Sequence, residues 1–64
     1  MNKLTKEFYE KGALLKAVSA YKNLASISVS EDNDYLYYEI ESSIYDPHLV
    51  ANEFENYILG LMNT

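Results

Sequence analysis

The last third of the chain carries a helical repeat of apolar residues. The repeat consists of Val50, Phe54, Tyr57, Ile58 and Leu61, at spacings of three and four. Asp46 stands before it with a carboxylate that can accept first-turn N–H groups, and Pro47 suits the first helical position. The pattern therefore predicts a helix from about Pro47 to about Leu61, with Phe54 as its anchor in the core.

Two stretches in the middle of the chain alternate between apolar and other side chains, as half-buried strands do. In residues 25–30 the apolar set is Ala25, Ile27 and Val29, and serines occupy the other face. In residues 35–42 the apolar set is Leu36, Tyr38 and Ile40, with Tyr35, Tyr37, Glu39 and Glu41 opposite. Residues 31–34 between them are all polar, and Asp and Asn favour turns. We expect an antiparallel hairpin with one apolar face.

The first part of the chain holds a second helical stripe, in residues 10–24. It consists of Ala13, Leu14, Ala17, Val18, Tyr21 and Leu24. Gly12 is a poor interior residue, so this helix is expected to start between Glu10 and Gly12. Residues 2–9 fit two patterns, because Leu4 and Phe8 belong to an alternating set and also lie one helical turn apart. We favour a short edge strand there, and a helix stays open as the alternative.

Together these elements predict one α+β domain over residues 1–64, in the order (β)αββα. A small antiparallel sheet would pack both helices on one face, because neither a lone hairpin nor a short helix is stable in water. The expected core anchors are Ile27, Val29, Leu36, Tyr38, Ile40, Phe54, Tyr57 and Ile58.

Charge is distributed unevenly along the chain. All five lysines lie in the first 22 residues against Glu7 and Glu10, which gives +3, and the eight acids that follow give −8. Nucleic acid is a poor partner for the acidic part, since its phosphates need Lys or Arg. A basic peptide or a basic protein surface is the better electrostatic match. The alternative is that the acidic surface only keeps a small protein soluble.

The sequence contains few signals for secretion, for membrane insertion or for catalysis. The N-terminal residues lack the apolar core of a signal peptide, and no run is long enough to span a bilayer. Absence of cysteine fits a cytoplasmic protein and excludes thiolate metal sites. His48 is the only histidine, and Glu39 and Glu41 share one strand face, but a solvated surface explains all three. We expect no enzyme activity, no metal and no cofactor.

The strongest functional feature is a face that combines tyrosine with acidic residues beside a row of serines. The candidate partner-binding residues are Ser26, Ser28, Tyr35, Tyr37, Glu39 and Glu41. Tyrosine is enriched at protein interfaces, where it supplies contact area at low entropic cost. The face, or an open strand edge beside it, would accept a protein or an extended basic peptide. The alternatives are a homodimer that buries the Tyr-rich face, or an N-terminal strand that covers its edge.

A family resemblance adds to this expectation. Tyr9, Ala13, Ala17 and Tyr21, two short strands, and the late box Glu53-Phe54-Glu55-Asn56-Tyr57 resemble HxsD-type proteins over residues 8–62. These small proteins are encoded beside radical S-adenosylmethionine (radical SAM) enzymes in His-Xaa-Ser peptide-modification systems. The resemblance implies an accessory role, in which the chain binds the maturase, the precursor peptide or both. Family members commonly continue with Asp and Arg where residues 60–64 read GLMNT, so any contact by such a tail does not carry over.

Overall fold

The computed structural model describes residues 1–63, and Thr64, the last residue of the expected domain, lies outside them. Residues 1–63 form three strands and two helices in the order βαββα. The elements are β1 (Asn2–Thr5), α1 (Lys11–Ala20), β2 (Ala25–Glu31), β3 (Tyr35–Ser43) and α2 (Pro47–Met62). The α+β class, the element order and the antiparallel sheet agree with the sequence-based prediction.

The longest strand, β3, lies in the middle of the sheet, with antiparallel neighbours in the order β1-β3-β2. On one side Leu4 pairs with Leu36, and on the other Ile27 pairs with Ile40. The β2–β3 register shifts between Ser26 and Ile27, so that Glu41 has no paired residue on β2. This leaves β1 and β2 as the two edge strands of the sheet.

Both helices pack against one face of the sheet, where the core forms. The core cluster consists of Leu4, Ala13, Leu14, Ala17, Leu36, Tyr38, Phe54 and Ile58. Phe54 of α2 is fully buried and lies between two rings, 4.9 Å from that of Tyr38 and 5.5 Å from that of Tyr21 by centroid. Ala17 of α1 is also fully buried, and its small side chain lets α1 lie close to the rest of the core.

The second helix begins as its sequence predicts. The Asp46 carboxylate accepts the backbone N–H of His48 at 2.8 Å, and Pro47 occupies the first helical position. The N–H of Val50 then donates to the Asp46 carbonyl at 3.0 Å, which closes the first helical turn. The start of α2 is therefore fixed by a side-chain cap next to a residue with preset φ.

Two expected core anchors are not buried. Val29 is 38% exposed because β2 is an edge strand with no neighbour beyond it. Tyr57 is 41% exposed because it flanks the helical stripe, where it touches Tyr21 at the surface with ring centroids 5.6 Å apart. Ile27 and Ile40, also expected as anchors, are half-buried against the core.

Two boundaries also differ from the expected ones. The first strand ends at Thr5, and a turn follows in which the N–H groups of Phe8 and Tyr9 donate to the Thr5 carbonyl. Phe8 is consequently 67% exposed and belongs to neither a strand nor a helix. The first helix ends at Ala20, since the next turn closes through bonds from Leu24 to Tyr21 instead of continuing.

Neither helix within residues 1–63 combines the length and the apolar character that crossing a bilayer requires.

Candidate partner-binding face

The face of the sheet opposite the helices is uncovered. Directly paired residues share a face, and the register sets Lys3 and Thr5 beside Tyr37 and Tyr35, with Ser30 and Ser28 beside Tyr37 and Glu39. We call this the open sheet face; it comprises Lys3, Thr5, Ser28, Ser30, Tyr35, Tyr37 and Glu39. Six residues were proposed from the sequence as a partner site. Four of them lie together on this face: Ser28, Tyr35, Tyr37 and Glu39.

The other two proposed residues lie at the end of the sheet far from the hairpin turn. Ser26 pairs with Ser42, and both are exposed. Glu41 is exposed as well, but the register passes over it, so it has no partner opposite on β2. Such a register shift bends a strand and re-aims its side chains. The open sheet face therefore carries Glu39 by regular pairing and has Glu41 at an irregular position beside it.

Strand β1 covers the β3 side of this face, as one alternative from the sequence held, but sequence analysis missed that it places Lys3 there. The Lys3 ammonium lies over the Tyr35 ring, with Nζ 4.0 Å from the centroid. The Tyr35 and Tyr37 rings are 6.3 Å apart by centroid and tilted at 48°. A cation held over an aromatic ring is attracted by the ring quadrupole. The alternation Lys3-Leu4-Thr5 was the available signal, because a buried Leu4 requires both neighbours to face the other way.

The hydroxyl of Tyr37 is engaged within the chain. It donates to Asp32 Oδ2 at 2.6 Å, while Asp32 Oδ1 accepts the backbone N–H groups of Asp34 and Tyr35 at 2.9 and 2.8 Å. The Tyr37 hydrogen bond is the main cause of the lowered pKa of Asp32, and it raises the pKa of Tyr37 in return. A partner on this face would therefore meet the Tyr37 ring and not a free hydroxyl.

One carboxylate holds this hairpin turn through side-chain bonds instead of special backbone dihedrals. Two-residue hairpin turns usually need positive φ, and no residue among 1–63 has it. The three bonds accepted by Asp32 replace that geometry, together with the Asp32 N–H donated to the Tyr35 carbonyl at 3.0 Å. The turn thereby fixes the position of Tyr35 and Tyr37 on β3.

Two lysines pair with Glu31 beside the turn. Lys6 lies 2.8 Å from the Glu31 carboxylate and donates to the Asp32 carbonyl at 2.5 Å, and Lys11 at the start of α1 also pairs with Glu31. Hydrogen bonds from Lys11 and then Lys6 lower the pKa of Glu31 to about 2. Two of the five lysines are therefore engaged in salt bridges within the chain.

Negative charge remains uncompensated at Glu39 and Glu41. Both side chains are exposed, and within residues 1–63 neither takes part in a salt bridge. Ser28, beside Glu39, is too short to cover it. The exposed carboxylates and the neighbouring tyrosine rings give this part of the sheet an acidic and aromatic character.

His48 lies apart from Glu39 and Glu41, the two glutamates considered with it from the sequence. His48 is exposed at the start of α2, in an element that packs on the other side of the sheet from Glu39. In the described part of the chain no three His, Cys, Asp or Glu side chains are grouped to hold a metal ion.

Comparisons of the chain with protein-family models, with curated proteins and with solved structures give no match.

Proposed function

We propose that this chain is a non-catalytic binding protein whose open sheet face receives a basic segment of a partner protein or peptide. The observation that carries the proposal is the pair of exposed carboxylates without a salt bridge, Glu39 on the open sheet face and Glu41 at the irregular position beside it. Glu31, beside the turn, is already paired with two lysines, whereas the carboxylates of Glu39 and Glu41 stay open to a ligand cation.

The shape of the face supports a close approach by the partner. Serines at 28 and 30 present only short side chains, and neighbouring strands lie about 4.8 Å apart. A Lys or Arg of the partner that lies above Ser28 can therefore reach the Glu39 carboxylate. The rings of Tyr35 and Tyr37 supply contact area at the hairpin end of the same face.

The resemblance to HxsD-type proteins supports a more specific form of the proposal. In that form the chain is a cytoplasmic accessory of a radical SAM peptide maturase, and it binds the enzyme, the precursor peptide or both. The iron–sulfur chemistry would reside in the enzyme, since this chain has no cysteine to hold a cluster by thiolates. This form predicts a radical SAM enzyme encoded next to the chain.

Binding to that neighbouring enzyme, measured by calorimetry and by light scattering on the mixture, tests the proposal. The double variant Glu39→Gln/Glu41→Gln should weaken the complex about tenfold, or ~1.4 kcal/mol, and should reduce its salt dependence. The double variant Glu53→Gln/Glu10→Gln is the matched control, because it removes the same charge from exposed positions on helix α2 and before helix α1. Equal weakening by both double variants would contradict a site on the open sheet face and indicate a general effect of net charge.

A further inference from the structure

The other edge of the sheet, strand β2, is long and unprotected. Natural edge strands are commonly short or carry Lys or Pro, which discourage pairing with another chain. Strand β1 follows that rule, with four residues that include Lys3. Strand β2 has seven residues with neither Lys nor Pro, and five of the seven are exposed.

The backbone groups that face the open side of β2 follow from the hydrogen bonds at its two ends. The N–H of Asp32 donates to Tyr35, and the carbonyl of Leu24 accepts from Ile44, so even-numbered residues bond to β3. Antiparallel strands alternate in this respect, and the register irregularity adds its residue to β3 and not to β2. The N–H and C=O groups of Ile27 and Val29 therefore point away from β3, in the plane of the sheet and beyond its open edge.

The sequence of β2 is symmetric about Ser28 in side-chain character. Ile27 and Val29 flank Ser28 on the helix side, and Ser26 and Ser30 lie on the open side. Two copies related by a twofold axis at Ser28 would set Ile27 opposite Val29 of the partner subunit. Both residues of that pair direct their backbone groups outward, so the pair can exchange two hydrogen bonds, and the axis repeats it.

The residues at the axis and at the ends also suit this arrangement. Ser28 would meet Ser28 of the partner subunit in a non-hydrogen-bonded pair, where Cα atoms approach to about 4.5 Å and a small side chain fits. Ala25 would lie opposite Glu31 of the partner subunit, whose carboxylate is already bound by Lys6 and Lys11. No unpaired charge would enter the contact.

Exposed apolar surface lies beside this edge. A groove of about 190 Å³ between α1 and β2 is lined in part by Leu14, Leu15 and Val29. Leu15 is 45% exposed and Val29 is 38% exposed. Pairing of the edges would bring Ile27 of the partner subunit next to Val29 and remove apolar area from water.

We propose that two copies of this chain associate through β2, with Ser28 at the twofold axis, to form one six-stranded antiparallel sheet. The inference goes beyond the proposed function, and it leaves both open sheet faces free on the same side of the joined sheet. A dimer would then present two acidic faces to a partner, which raises avidity if the partner carries two basic segments.

Cysteine cross-linking tests the register directly, because the natural sequence has no cysteine. Ser28→Cys should oxidise rapidly to a covalent dimer, since disulfides span Cα separations of about 4.4–6.8 Å. Ser30→Cys is the matched control on the same strand and face. In this register its two copies are displaced by four residues, roughly 13 Å along the strand, which is too far to bridge.

A charge substitution provides the second test, read by light scattering over a concentration series. Ser28→Lys should raise the dimer dissociation constant about fivefold or more, since like charges directly opposite are destabilising. In the single subunit the same lysine lies beside Glu39, so the fold should be retained. Asn2→Lys adds the same charge to β1 and should leave the dimer unchanged.

Three results would overturn the inference. The first is a monomer at every concentration. The second is equal cross-linking of the two cysteine variants. The third is a dimer that Ser28→Lys does not weaken, which would place the contact away from β2 and from the open sheet face that contains Ser28. None of them bears on binding of a basic partner, which the Glu39 and Glu41 variants test separately.

Discussion

The hydroxyl of Tyr38, on the central strand, donates a hydrogen bond to the carboxylate of Glu55 on α2. Tyr38 is fully buried, and its ring also packs on Phe54. Burial, followed by the bond to Glu55, raises the pKa of Tyr38 well above its ordinary value of 10.0. One charge-assisted bond therefore joins the sheet to the last helix through the core.

Loss of this bond should be costly. Tyr38→Phe removes the hydroxyl and leaves Glu55 partly buried without its donor, so we expect a loss of about 1.5–3 kcal/mol in the free energy of unfolding. Urea denaturation followed by circular dichroism measures it. Tyr37→Phe is the matched control, because its hydroxyl bond to Asp32 is exposed and should matter less. A larger loss for Tyr37→Phe than for Tyr38→Phe would contradict this account.

The same bond should make the protein sensitive to alkali. A pKa raised in the folded state means that stability is fully present below the ordinary pKa of about 10 and is lost as the pH rises above it. Tyr9 shifts in the same direction, through burial and then Glu55. Unfolding midpoints measured between pH 8 and 12 should fall above pH 10 for the natural protein, and less steeply for Tyr38→Phe. A flat profile for the natural protein would disprove the assignment.

The elements were predictable because their signals are local. Alternation identified the two hairpin strands, and apolar spacing with the Asp46 cap identified α2. Which hairpin strand would become the edge was not predictable, because it depends on where β1 pairs. Because β1 pairs with β3, β2 becomes an edge strand. Val29 on β2 is therefore exposed, although the alternation of apolar residues alone predicts that its side chain packs in the core.

The candidate site was predictable only in outline, for a related reason. The alternation of β3 placed Tyr35, Tyr37 and Glu39 on one face, but the partners of these residues come from distant segments. Lys3 reaches Tyr35 across 32 positions of sequence. The late box at residues 53–57, which carried the family resemblance, supplies Phe54 to the core and Glu55 to the bond with Tyr38, so packing accounts for these two residues.

Phe54 should decide whether the chain folds at all. Truncation of a buried Phe costs about 3–5 kcal/mol, and a domain of this size has about that much stability in total. Phe54→Ala is expected to be mostly unfolded in thermal melts. Tyr57→Ala, on the same helix but 41% exposed, should keep a cooperative transition. A cooperative melt of Phe54→Ala near the midpoint of the natural protein would contradict this prediction.

The lysine pairs of Glu31 should make stability fall in acid. Its pKa is lowered from 4.5 to about 2, so the stabilisation is present above pH 4.5 and is lost as the pH falls towards about 2. Glu31→Gln should flatten the stability profile in that window. The Glu31 side chain is 35% exposed, so 1 M salt should reduce the difference between the two proteins. A profile that Glu31→Gln leaves unchanged would show that the pairs contribute nothing to stability.

Two substitutions at Asp46, the cap of α2, distinguish the contribution of its hydrogen-bond acceptor from that of its negative charge. Asp46→Ala leaves the His48 N–H without its acceptor and should cost about 0.5–2 kcal/mol in urea denaturation. Asp46→Asn keeps an acceptor oxygen, and Asn caps helices about as well as Asp, so it should retain most of that stability. If Asn is as costly as Ala, the carboxylate acts through its charge on the helix dipole, and the loss should then shrink at high salt.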